Sequence, residues 1–218
     1  MHMEEDALFE TMRWAGGISL LEGHLHRLGR SASALGYPYD EAGARSLLDE
    51  HCRDLDDAVP RRIRMTLGAD GRLTVRISEC LSPSRETLQL IVATERLNSS
   101  DPLLRHKTTR RTIQERAYAR AVEAGYDEAL FLNERQEVCE GSRTNMMMRL
   151  NGRLLTPTLG CGLLPGVYRE YLLQVQPELN EAVLNAEDLL QAEELYVCNA
   201  VWGLRRAVLA PESALQRL

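Results

Sequence analysis

Apolar residues recur along this chain at two spacings, and the spacings predict where helices and strands lie. Between residues 21 and 36, Leu21, Leu25, Leu28, Ala32 and Leu35 fall on one helical face, and Gly36 is suited to close the helix. A second helical stretch covers about residues 41 to 55. On either side of Ala69-Asp70-Gly71 the pattern changes to alternation, over residues 62–67 and 72–78, which predicts a hairpin. Residues 8–14 read as a strand running to a turn at Gly16-Gly17, and residues 88–94 as another strand.

Beyond residue 98 the same reading gives a helix over about 112–125 and a strand at 129–132 with a turn at 133–136. A strand at 145–150 ends at Asn151-Gly152, a hairpin signal. Leu164-Pro165-Gly166 leads into a helix through about Val175, Asn185 is placed to cap a short helix over 185–192, and late strands fall at 195–198 and 207–209. Helices mixed with short strands predict an α/β chain with much antiparallel pairing. The polar stretch Asn98-Ser99-Ser100-Asp101-Pro102 suggests a division: residues 1–97 as a smaller N-terminal domain, 98–106 as a linker and 107–218 as a larger C-terminal domain.

Composition narrows the function. A net charge of −6 argues against a general nucleic-acid binder. No stretch approaches the roughly 18 uncharged apolar residues of a membrane span, and the acidic start does not resemble a secretion signal, so a cytoplasmic protein is expected. The five cysteines, Cys52, Cys80, Cys139, Cys161 and Cys198, are scattered without metal-ligand spacing and read as free thiols, with no metal site. The 26 basic residues comprise 25 arginines and one lysine, Lys107. Arginine replaces lysine wherever a surface charge suffices, but an amine can deprotonate and attack a carbonyl, which a guanidinium cannot.

Four features could carry chemistry, and each also has a plain structural reading. Lys107 lies in the basic run Arg105-His106-Lys107-Thr108-Thr109-Arg110-Arg111, which could be a solvated loop. Glu140, in Glu140-Gly141-Ser142-Arg143-Thr144-Asn145, could be a turn residue or an anion facing a protonated ring nitrogen. Gly166, Val167 and Tyr168 open a helix whose free N–H groups suit a phosphate. Arg27, in His24-Leu25-His26-Arg27-Leu28, lies beside the apolar stripe of its helix, where a buried anion would justify it.

Taken in order with Phe9-Glu10-Thr11-Met12-Arg13, Leu155-Thr156-Pro157 and Cys198-Asn199-Ala200-Val201, these segments resemble the fold-type IV pyridoxal-phosphate enzymes, or class IV aminotransferase family, over nearly the whole chain. The resemblance implies a two-domain fold with pyridoxal 5'-phosphate between the domains, a homodimer and a small-molecule substrate. It makes Lys107 the Schiff-base lysine and Glu140 the partner of the pyridine nitrogen. It makes Arg27 a phosphate ligand, the Gly166-Val167-Tyr168 backbone a phosphate cup, and the Asn199-Ala200 turn a further phosphate contact. Family members often carry Ser or Thr where Ala200 stands, so a hydroxyl contact is expected to be missing.

Within the family, residues 103–111 and Glu10-Thr11-Met12-Arg13-Trp14 look most like the 4-amino-4-deoxychorismate lyase segments fused to aminodeoxychorismate synthases, and the chain meets the family pattern close to its first residue, as those segments do. The implied reaction releases pyruvate and 4-aminobenzoate from a dianionic substrate, with Arg64 and Arg13 as candidate carboxylate ligands and a synthase subunit as a candidate partner. The alternatives are a branched-chain or D-amino-acid aminotransferase using the same lysine and glutamate, and a non-catalytic cofactor-binding protein.

Overall fold

The computed structural model describes residues 6–210. Its contacts divide the chain into two units, each built on its own sheet. The first runs up to Ser82 and takes in His106–Arg110; the second comprises Pro83–Arg105 and the chain from Arg111 onward.

In the first unit, strands β1 (Ala7–Trp14), β2 (Arg61–Gly68) and β3 (Leu73–Glu79) form an antiparallel sheet in that order. Helices α1 (Leu21–Leu35) and α2 (Glu41–Cys52) lie between β1 and β2 in the chain. Alternation sends Leu8, Met12, Ile63, Met65 and Leu67 to one face, where they bury against Leu25, Leu28 and Ala32 of α1 and Ala44 and Leu48 of α2. Each fully buried leucine or isoleucine stabilises the fold by roughly 1.5–3 kcal/mol relative to exposure. The same alternation places Phe9, Thr11 and Arg13 on the other face, opposite Thr66, Arg64 and Arg62 of β2. Gly36 ends α1 at φ 73°, donating its N–H to the Ala32 carbonyl, as expected of a glycine C-cap.

The basic run around Lys107 is not a solvated loop. Phe9 donates its N–H to the Lys107 carbonyl at 2.9 Å, and Thr109 donates to the Ala7 carbonyl at 2.9 Å. The segment therefore covers the edge of β1 that β2 leaves open, which blunts an otherwise unpaired strand.

The second unit contains strands β4 (Leu88–Leu97), β5 (Glu128–Asn133), β6 (Val138–Gly141), β7 (Asn145–Leu150), β8 (Arg153–Pro157), β9 (Leu179–Ala182), β10 (Glu194–Asn199) and β11 (Gly203–Leu209). Helices α3 (Thr112–Glu123), α4 (Val167–Val175) and α5 (Ala186–Gln191) accompany them. The sheet order is β10-β11-β4-β5-β6-β7-β8-β9, and β10 also pairs with β7, so the strands from β4 to β7 close into a ring through β10 and β11. Leu90, Val92, Leu130, Leu132, Met146, Met148 and Val197 belong to one buried cluster of this sheet. Parallel pairings (β11–β4, β4–β5, β8–β9) mix with antiparallel ones.

Three strands, β6, β8 and β9, go beyond those that the sequence pattern predicts. They are four or five residues long, and β6 is buried throughout, so it shows no alternation to read. The division also falls elsewhere than the expected boundaries at 97 and 106. β4 pairs with β5 and β11, which carries it into the second unit. The expected linker is fastened there as well, since Glu134 accepts from the Ser99 N–H at 2.9 Å and the Ser99 hydroxyl at 2.6 Å. Lys107, expected to open the C-terminal domain, belongs by its pairing to the first unit.

Candidate functional site

In the first unit the candidate residues lie on and beside β1. Phe9 points to the face opposite α1, and two cations stand over its ring: Arg64 Cζ at 3.8 Å from the centroid and Lys107 Nζ at 4.7 Å. Such contacts hold a cation over the electron-rich face of the ring. Arg13 shares this face two residues beyond Thr11, paired in register with Arg62, and Arg76 of β3 sits opposite Arg64. Arg13, Arg62, Arg64 and Arg76 thus alternate with Thr11, Thr66, Thr74 and Ser78, and no carboxylate of these three strands occupies an outward position on this face.

The other face of β1 carries Glu10, which is 1% exposed. It accepts from Arg27 Nε at 2.8 Å and Arg27 Nη2 at 2.5 Å, and it meets His24 Nδ1 at 2.7 Å. Burial pushes the Glu10 carboxyl upward, but the Arg27 charge and the bonds from His24 and Arg27 outweigh it and hold the pKa at about 2. Burial lowers His24, against the pull of Glu10 and with help from the charges of Arg27 and Lys107. A neutral His24 facing an ionised Glu10 carries its proton on Nδ1. Its Nε2 is then an acceptor, buried and without a hydrogen-bond partner. Glu10 stands in one of the sequence motifs with no role assigned to it there; its signal is a carboxylate at a core-facing strand position, with an arginine beside the apolar stripe of the following helix.

In the second unit Glu140, 7% exposed, lies near the end of β6 and accepts from the Leu164 N–H at 3.0 Å. Asn145, its partner in register on β7, donates from Nδ2 to the Leu164 carbonyl at 2.9 Å. Both ends of the 140–145 turn thereby hold the approach to α4. Gly166 is the N-cap of α4 with no side-chain cap, so the first N–H groups of the helix, Val167 and Tyr168 among them, lack the intrahelical acceptors that later residues have. Asn199 ends β10; its Oδ1 accepts from Val201 N at 2.9 Å and Trp202 N at 2.8 Å, and its Nδ2 donates to the Arg143 carbonyl at 3.3 Å. Its side chain braces the turn at Ala200, which leaves contact with a ligand there to the backbone.

The model of the family described as amino-transferase class IV matches residues 7–209, nearly all the described chain. The chain belongs to the class IV aminotransferase family. A Schizosaccharomyces pombe protein, provisionally named an aminodeoxychorismate lyase, is 30% identical over 99% of this chain and 96% of its own. A Mesorhizobium loti structure, provisionally named an amino-acid aminotransferase, is 36% identical with a TM-score of 0.86, covering 94% of this chain and all of that one. The 4-amino-4-deoxychorismate lyase of Pseudomonas aeruginosa is 28% identical with a TM-score of 0.79, covering 95% of this chain and 84% of that one. Membership of the class IV family gives this chain the family's fold and its cofactor, pyridoxal phosphate.

The donor set fits that group. A class IV enzyme needs an amine for the cofactor's carbonyl carbon, an anion for its ring nitrogen and N–H or guanidinium donors for its phosphate. Lys107 is the one lysine available, Glu140 is a buried carboxylate, the N-terminus of α4 is uncapped, and Arg27 is a buried cation. Among the described residues no cluster of metal-binding side chains occurs, and no helix is long and apolar enough to cross a membrane.

Proposed function

We propose that this class IV enzyme is a 4-amino-4-deoxychorismate lyase, which releases pyruvate and 4-aminobenzoate. The observation that carries the reading is the face around Phe9: a lysine amine beside Arg64, on a sheet surface with three further arginines and no opposing carboxylate among its strands. That charge suits a substrate with two carboxylates better than an amino acid with one. The full-length likeness to proteins named as aminodeoxychorismate lyases supports it.

When bound, pyridoxal phosphate supplies a ring that holds the electron pair left on carbon after a proton departs. Lys107 would be the residue that holds the cofactor by its carbonyl carbon, and the substrate's amine would free it. The freed amine then takes the proton from the amine-bearing carbon and returns a proton to the departing three-carbon unit. Glu140 would face the pyridine nitrogen and favour its protonated form, and the Leu164 N–H fixes the Glu140 carboxylate. Val167 and Tyr168 offer backbone N–H groups to the phosphate from the first turn of α4, with Gly166 at its cap and the Asn199-Ala200 turn as a second set of donors. Arg27, held by Glu10 through Nε and Nη2, is the proposed guanidinium ligand of the phosphate. Arg64 and Arg13 receive the substrate carboxylates. Loss of the enolpyruvyl group makes the ring aromatic, so the protein's task is chiefly orientation and charge.

A second reading, an amino-acid aminotransferase with the same Lys107 and Glu140, is favoured by the 36% identity with the Mesorhizobium loti protein. One assay separates the two. Incubated with 4-amino-4-deoxychorismate, the native protein should form 4-aminobenzoate and pyruvate in equal amounts, and Lys107→Ala should form neither. Keto acid from an amino acid donor, with no 4-aminobenzoate from the chorismate, would replace the lyase by the aminotransferase. A cofactor that borohydride fixes to Lys107, with no product from either substrate, would leave cofactor binding alone. We also propose a homodimer, which sedimentation of the purified protein measures, and a synthase subunit as the partner that would supply the substrate.

A further inference from the structure

The geometry points to Glu128 as the positioning residue for the cofactor-facing parts of the second unit, an inference that rests on the cofactor assignments above. Glu128 opens β5 and is wholly buried. Five donors converge on its carboxylate, and none of them is a side chain assigned to the cofactor. Oε1 accepts from Ala129 N at 2.9 Å, Ser142 N at 3.0 Å and the Ser142 hydroxyl; Oε2 accepts from Arg143 N at 3.1 Å and the Thr144 hydroxyl at 3.0 Å. Four of the five come from the turn that leads from Glu140 to Asn145.

Burial of a carboxylate on this scale is unfavourable unless donors replace the lost water. Desolvation pushes the Glu128 pKa up, and the bonds from Ser142, Thr144, Ala129 and Arg143 oppose it. A side chain kept at that cost, with so many donors drawn from one turn, sets the path of the turn. The fit is tight: a Cβ at Gly141 would lie 2.9 Å from Glu128 Cδ and 2.2 Å from Thr144 Oγ1, so Gly141 lets the chain pass directly over the carboxyl. Arg111 adds a tie from the residue before α3, donating from Nη2 to the Ser142 carbonyl.

The same turn governs three of the places assigned to the cofactor. Its first residue, Glu140, faces the ring nitrogen in the proposed role and binds Leu164 N. Its last, Asn145, binds the Leu164 carbonyl and so sets the entry to α4. Between them, the Arg143 carbonyl receives Asn199 Nδ2, and the Asn199 side chain also braces the Ala200 turn. Ring nitrogen, helix N-terminus and second phosphate turn are therefore registered to one another through a segment that Glu128 holds from beneath.

The test uses Glu128→Gln, which keeps the shape but turns one acceptor oxygen into an N–H donor against the turn. Affinities for pyridoxal phosphate and for pyridoxal would be followed by the visible cofactor band in the full chain, with hydrogen exchange of the turn amides alongside. The expected result is at least about a tenfold loss of affinity for both compounds, because ring and phosphate places move together. Amide exchange at 142–144 should accelerate while β4 and β5 stay protected. Native affinity in a folded Glu128→Gln protein overturns the inference, as does a general rise in exchange with unchanged affinity, the mark of a merely structural role. Should that variant not fold, Thr144→Val and Ser142→Ala each remove one side-chain donor and should weaken affinity in the same sense; native affinity in both overturns it equally. A native protein that takes up no pyridoxal phosphate overturns the cofactor assignment and this inference together, whereas a normal native band with an unaffected variant overturns this inference alone.

Discussion

At the scale of single residues, two arginines of the first unit have different environments. Arg27 is clamped by a buried carboxylate, whereas Arg64 lies over an aromatic ring on the opposite face of the same sheet, beside Lys107. Their losses should differ accordingly. Arg64→Gln removes a charge assigned to the substrate, so KM for 4-amino-4-deoxychorismate should rise about tenfold or more while affinity for pyridoxal phosphate changes little. Steady-state kinetics with a parallel cofactor titration decide the matter. If cofactor affinity collapses and KM is unmoved, Arg64 leaves the substrate site. Lys107 stands out in the sequence because its chemistry is unique among 26 basic residues. Glu10 does not, because a glutamate in a strand announces nothing until its partners are known.

At the scale of elements, the 140–145 turn and the start of α4 act as one piece. Gly166 has φ −71°, which any residue adopts, so an alanine there meets no backbone strain. Its Cβ would instead fall 1.8 Å from Asn145 Oδ1 and push that side chain off the Leu164 carbonyl. Gly166→Ala should therefore destabilise the protein by roughly 1–3 kcal/mol, the cost of unpaired buried polar groups, and weaken cofactor binding as well. Denaturant unfolding of Gly166→Ala, Asn145→Ala and the double variant measures it. The double variant should lose less than the two single variants predict; strict additivity would show that the two side chains do not meet. The motif containing Glu140 and the Pro-Gly before α4 could both be read in the sequence, since each is a local pattern. Their coupling could not.

At the scale of the whole molecule, the acid response should report the buried Glu10 cluster. Folding lowers the Glu10 pKa from 4.5 to about 2, so its stabilisation is complete above about pH 4.5 and disappears as pH falls towards 2. The size is roughly 3 kcal/mol. His24 acts in the same sense from higher pH, since burial lowers its pKa from 6.5 and the unfolded chain takes up the proton first. The midpoint of denaturant unfolding between pH 7 and pH 3 should fall more steeply for the native protein than for Glu10→Gln. That variant should already be weaker at pH 7, with Arg27 left buried without its carboxylate. Parallel slopes would mean that Glu10 is not the group titrating. By itself the sequence determined the long helices, the alternating strands, the class IV motifs and the single lysine, because periodicity and chemical type are carried by neighbouring residues. Only the tertiary structure decided that residues 107–109 close the edge of β1, that β7 meets β10 to complete a ring, and that Glu10 and Glu128 take the partners they do. A buried carboxylate finds its donors through space, in contacts made by residues distant along the chain, and no local spacing encodes which donors those will be.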